Sequence, residues 1–216
     1  MKLTSQKILS VLFICAITFS TSIAQQSKKE LQKAVNEKAM KSARKEAKQL
    51  GKDGWDVLPG SLPLDKQIEK AWMKQAETDD NGYEKYYTGT GASLAGTQSA
   101  AKLQASTIAK QDLAGKISSS MASVIETNLS TTQLSAEEAA TVQETVSAST
   151  EVIAQKLGRT ITLTELYRRV GKNYECQFRI GYSAEMANEA AKEVIKKSLA
   201  DKSNVTREKL DKLMNF

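Results

Sequence analysis

The sequence predicts an α+β fold, an antiparallel sheet of about three strands packed by long helices, with flanking N- and C-terminal helices. Three observations carry this. The segment Tyr174 to Tyr182 alternates apolar and polar residues without a break. A strand-like stretch and two long Ala-rich helical patterns precede it, and the order strand, helix, helix, strand, strand suits an antiparallel sheet with helices on one face. Turn residues separate the pieces at Asp79-Asp80-Asn81-Gly82 and at Gly171-Lys172-Asn173.

The chain opens on a pattern of its own. Lys2 and Lys7 precede an apolar run from Ile8 to Phe19, and Ser22-Ile23-Ala24 fits a small-x-small cleavage site before Gln25. This is the build of a signal peptide over 1–24, with cleavage after Ala24. Cys15 follows Leu12 by three residues, which raises a lipid anchor. The residue before it is Ile14, not a small one, and the apolar run continues past it. A lipid anchor at Cys15 is therefore not expected. No later run is apolar and long enough for a transmembrane helix.

The expected organisation beyond 1–24 is an N-terminal helical region over 25–82, an α+β domain over 83–183 and C-terminal helices over 184–216. Ser27 to Leu50 reads as a charged helix with a stripe of Leu31, Val35, Ala39, Ala43 and Ala47, ended by Gly51 and Gly54. From Lys28 to Asp53 there are nine Lys or Arg against four Asp or Glu, so the formal charge of +6 is concentrated there. A membrane-surface helix would bury bulkier residues than this Ala stripe. The stripe reads as a packing face, and one basic helix does not make a nucleic-acid footprint. A turn-rich connection with Pro59, Gly60 and Pro63 leads to a short helix, Leu64 to Glu77, with Leu64, Ile68 and Trp72 on one face.

Tyr83 to Leu94 reads as a strand. Its Gly89, Gly91 and the following Gly96 lack the spacing of a phosphate-binding loop. A strand passing closely beneath a helix explains them. Helices follow at Thr97 to Asn128 and at Ala136 to Leu157, joined by Leu129 to Leu134 with capping Ser and Thr. Thr160 to Val170 alternates and then shifts phase, which places a bulge near Thr164 or Glu165. Ala184 to Ala200 and Thr206 to Met214 read as helices.

There is no histidine, which removes Ser-His-Asp and Cys-His catalysis and His-ligated metals. Cys176 lies on the apolar side of its strand and reads as a small core residue. The acidic turn lacks the alternate ligand spacing and the distal Glu of a calcium loop. Asp79, Asp80 and Glu84 are the carboxylates an enzyme reading would have to use, and all three sit in one acidic turn. No catalytic residue, metal ligand or cofactor is expected. The candidate ligand-binding residues are aromatic: Trp55, Trp72, Tyr86 and Tyr87. The two tryptophans read first as core.

Gly89-Thr90-Gly91-Ala92-Ser93, the helix from Ala100-Ala101-Lys102-Leu103-Gln104-Ala105 through Asp112-Leu113-Ala114, and the closing hairpin resemble the Lpp-twenty family of bacterial envelope lipoproteins over about Tyr86 to Tyr182. The resemblance implies a dodecin-like strand-helix-strand-strand core and a setting in the Gram-negative envelope. It implies no catalytic residues, and this chain departs from it in lacking a lipobox. The expected function is that of a non-enzymatic envelope protein, periplasmic or secreted, acting through contacts with other envelope proteins, with homo-oligomers allowed and nucleic acid excluded. The alternative is an envelope module binding a small apolar or sugar ligand.

Overall fold

The uninterrupted alternation around Cys176 becomes the central strand of a three-stranded antiparallel sheet, ordered β1-β3-β2. The computed structural model describes residues 30–129, 132, 134–202 and 206–214. The expected signal peptide, Cys15 and the start of the first helix lie outside these residues. Among the described residues the fold is α+β, with seven helices. Helix α1 covers 30–52. It is followed by α2 (Leu64–Gln75), β1 (Tyr86–Ala95), α3 (Gln98–Leu129), α4 (Ala136–Ala148) and α5 (Thr150–Lys156). Then come β2 (Ile161–Val170), β3 (Asn173–Ser183), α6 (Ala184–Lys202) and α7 (Arg207–Leu213). No helix among the described residues is long and apolar enough to cross a membrane.

Strand β3 turns Cys176, Phe178, Ile180 and Tyr182 to one side, and all four are buried. Helix α3 covers that side. Ala101, Ala105 and Ala109 face the sheet, then Leu113, Ile117, Met121 and Ile125 continue the buried row. The small residues are there for a reason. A Cβ on Gly89 would stand 2.2 Å from the Ala109 carbonyl oxygen, and one on Gly91 2.1 Å from that of Ala105. Strand and helix thus meet backbone to backbone. Gly96 has open space around it, so the close approach involves the first two glycines only.

With 32 residues α3 is about 48 Å long. The 10 residues of β1 span only about 34 Å. The excess of helix carries larger side chains, and α4, α5, α6 and α7 pack around it. Ser135 begins α4 with a capping box: its hydroxyl accepts from the Glu138 N–H, and its own N–H donates to Glu138 Oε2 at 2.8 Å. The single helix expected from Ala136 to Leu157 is two. Buried Ser149 donates its hydroxyl to the Thr145 carbonyl at 2.7 Å, where the chain steps from α4 to α5.

The second side of the sheet differs from the expectation of helices on one face. Leu166 and Tyr167 are both buried though successive strand residues point to opposite faces. Tyr167 joins the large core under α3. Leu166 joins a smaller one with Ala43, Ala47 and Ile68 from α1 and α2. The stripe of α1 is a packing face only from Ala39 onward: Ala39, Ala43 and Ala47 are buried, whereas Leu31 and Val35, expected on the same face, are exposed. The phase shift in β2 has two sources. One is this second apolar face. The other is a bulge between Thr162 and Thr164, slightly earlier than expected, which leaves Leu163 as the extra residue. Leu163 packs over Gly181, which has no side chain to obstruct it. The β2–β3 turn is also tighter than expected. Val170 pairs with Asn173, and Gly171 at φ +60° leads a two-residue turn in the II′ manner.

The glycine contacts give a paired prediction. Gly89→Ala or Gly91→Ala forces α3 off the sheet and destabilises by about 1–3 kcal/mol or more. Gly115→Ala, in the same helix but with open space around it, stabilises by up to about 1 kcal/mol. Urea unfolding of the three variants checks both signs.

Candidate functional site

The four aromatic candidates do not converge. Trp55 and Trp72 both border the small core beneath α1 and α2. Trp55 stacks under the Arg168 guanidinium, 4.7 Å from the ring centre. Trp72 donates its indole N–H to Glu46, and the same carboxylate receives Arg179 of β3 at 3.1 Å. These rings bind α1 and α2 to the sheet.

Tyr86 and Tyr87 stand elsewhere, where β1 begins, and their side chains leave the sheet on opposite faces. The Tyr86 ring carries the Lys74 ammonium at 4.3 Å. The Tyr87 hydroxyl shares a hydrogen bond of 2.8 Å with Ser120 of α3 and donates to Asn188 of α6 at 3.3 Å. Both tyrosines line an open cleft of about 940 Å³, with Tyr83, Met121, Val124 and Asn188. The α3 and α6 contributors left no local sign in the sequence, because Ser120 and Asn188 lie 33 and 101 positions from Tyr87.

The acidic turn is structural. One oxygen of Asp79 accepts the N–H groups of Asn81 and Tyr83 at 2.8 and 2.9 Å, and Gly82 takes φ +89°. The turn closes a short hairpin in which Thr78 bridges to Glu84. No group of three or more carboxylates and cysteines among the described residues is placed to hold a metal ion. Cys176 lies fully buried beneath α3. Nearby, Glu165 accepts the Tyr167 hydroxyl at 2.8 Å and pairs with Lys102 at 2.9 Å. Burial pushes the Cys176 thiol up to about 11, and the Glu165 charge adds to the effect. A thiol so held is a poor nucleophile.

The remaining feature is the outer edge of β1. Its partner β3 lies on one side only. The outward N–H of Thr90 donates to Asp112 at 2.8 Å, and Lys116 donates to the outward carbonyl of Thr88 at 2.8 Å. Asp112 and Lys116 also pair with each other at 2.9 Å. Partial burial pushes the Asp112 carboxyl up, but the hydrogen bonds from Lys116 and Thr90 outweigh it and leave it below the usual carboxylate range. This pair closes the first half of the edge. Since main-chain groups of every second strand residue point the same way, Ala92 and Leu94 also present theirs outward. Among the described residues no side chain caps them as Asp112 caps Thr90. Leu94 is exposed, and so is Ile108, which lies beside Gly91.

A scan against protein-family models, a search of curated proteins and a search of solved structures each return no match.

Two predictions follow from these groups. The folded Cys176 holds its proton to a higher pH than the ordinary value of 9.0. Its contribution to stability is complete below about pH 9 and declines as the pH rises toward 11, with a slope of at most about 1.4 kcal/mol per pH unit. Urea unfolding from pH 8.5 to 10 should show a shallower decline for Cys176→Ala than for the native chain. The second concerns the edge. Asp112→Ala uncaps the Thr90 N–H and costs about 1 kcal/mol. It should also raise the rate of thioflavin-positive aggregation near neutral pH, because a longer stretch of open edge becomes available.

Proposed function

We propose that this chain is an exported, non-catalytic protein of the bacterial envelope that acts by pairing the open end of β1 with an extended segment of another envelope protein. The observation that carries the reading is the half-closed edge. Asp112 and Lys116 occupy the outward groups of Thr90 and Thr88, while those of Ala92 and Leu94 face outward beside the exposed Leu94 and Ile108 side chains. Strand addition uses such groups for affinity and neighbouring apolar side chains for selectivity.

Export is supported by the signal-peptide pattern of 1–24 and by the resemblance of Tyr86 to Tyr182 to the Lpp-twenty family. A role without catalysis is supported by what the reactive side chains do. Asp79 braces a turn, and Cys176 is buried and held protonated.

A photo-crosslinking residue at position 94 in intact cells tests the proposal. The expected product is an adduct with another protein, recovered in the envelope fraction from a chain beginning at Gln25. Ala92→Pro should abolish it, because proline removes one outward N–H and leaves the β1–β3 ladder intact. Recovery of an uncleaved chain in the cytoplasm, or an adduct indifferent to Ala92→Pro, overturns the reading. An adduct at twice the chain mass makes the partner a second copy.

A further inference from the structure

The cleft beside Tyr87 lies at the opposite end of β1 from Ala92 and Leu94. We infer that it is a binding site for a small organic cation with an apolar body, an alkyl- or arylammonium. Its volume of about 940 Å³ suits a ligand of that size. Its floor is apolar, with Met121 and Val124 from α3. Tyr87 stands at this floor with its hydroxyl already engaged by Ser120 and Asn188, so its ring position is fixed before any ligand arrives.

The charges around the cleft are unequal. Among the described residues that line it, Asp79, Glu84 and Glu185 stand against one basic residue, Lys85, with the Lys74 ammonium beyond the Tyr86 ring paired to Glu77. Glu84 and Glu185 are exposed at the surface of the cleft. The potential there favours a cation. The aromatic groups agree with the charges. Tyr86 already holds an ammonium group, that of Lys74, over its ring at 4.3 Å and within 3.2 Å of its hydroxyl. Tyr83, three residues earlier on the same rim, is 73% exposed and leaves its ring open to a second cation. An exposed tyrosine face among carboxylates attracts an ammonium through both the ring quadrupole and the net charge. An apolar tail then reaches Met121 and Val124.

Calorimetry on the protein as the cell makes it, with phenethylammonium and its uncharged counterpart 2-phenylethanol as probes, tests this. The amine should bind saturably and at least about fivefold more tightly than the alcohol. Tyr83→Ala should weaken the amine about two- to fivefold. Glu84→Gln combined with Glu185→Gln should bring it to the level of the alcohol. On the unaltered protein, raised salt should weaken the amine and leave the alcohol unchanged, which keeps the test independent of any variant's folding. Equal binding of the two probes, no saturable binding of the amine, or insensitivity to salt and to the Gln substitutions overturns the inference. A lysine-rich peptide that binds more than about tenfold tighter than the amine overturns it in favour of a polypeptide ligand.

Discussion

The backbone contact between β1 and α3 is the constraint from which the other features derive. A strand and a helix ordinarily keep their main chains apart by the thickness of their side chains. Here Gly89 and Gly91 supply none, and Ala105 and Ala109 supply a single methyl each. The main chains come close enough that one flank of α3 runs directly along the strand's outer edge. Every fourth residue of that flank meets the strand in turn. Ile108 lies beside Gly91, Asp112 takes the Thr90 N–H, Lys116 takes the Thr88 carbonyl, and Ser120 meets the Tyr87 hydroxyl. Val124, one turn further, lines the cleft. A single helical row therefore sets both the closure of the edge and the wall of the cleft. A larger residue at either glycine would lift the whole row.

This explains which parts of the molecule could be read from the sequence. Strand β3 was legible because its alternation is local and complete, with Cys176, Phe178, Ile180 and Tyr182 all buried. Gly89 and Gly91 were legible as a close approach beneath a helix, since glycine in a strand pattern has few other uses. The bulge falls slightly earlier than the sequence predicts because Leu166 answers to a second core that α1 and α2 create, and a single strand's pattern cannot separate two faces from one irregularity. The break at Ser149 was hidden because serine and threonine occur throughout that stretch, and only tertiary position decides which hydroxyl bonds back to the helix. Tyr86 and Tyr87 stand out in the sequence by residue type alone. Their surroundings, Ser120, Met121 and Asn188, come from elements far apart in the chain and carried no shared signal.

The two sides of the sheet are held by different physics. Under α3 the core is apolar and continuous, from Ala101 to Met214. Under α1 and α2 it is small, and charged groups complete it. Glu46 receives both the Trp72 indole and Arg179, while Arg168 lies over Trp55 and pairs with Glu175 at 2.6 Å. Gln67 ties α2 to β2 by accepting the Glu165 N–H at 2.8 Å and donating to the Leu62 carbonyl at 2.9 Å. Such half-buried polar links fix geometry more than they add stability. They hold α1 and α2 at a defined position on the sheet without a large hydrophobic interface.

The place where the edge opens is then a matter of chemistry along one row. Asp112 and Lys116 are paired with each other as well as with the strand, so each holds the other in its capping position. One turn back the row changes character. Ile108 offers no hydrogen-bonding group, and Gln104 turns its amide to the Ser93 hydroxyl instead of to the strand's main chain. The outward groups of Ala92 and Leu94 therefore pass from a guarded region to an unguarded one within a single turn of α3. An edge left uncapped throughout would invite indiscriminate pairing. An edge capped throughout would pair with nothing. A charged pair followed by an isoleucine limits the opening to a few residues, and the exposed Leu94 and Ile108 give that short opening an apolar border against which an incoming strand would have to pack.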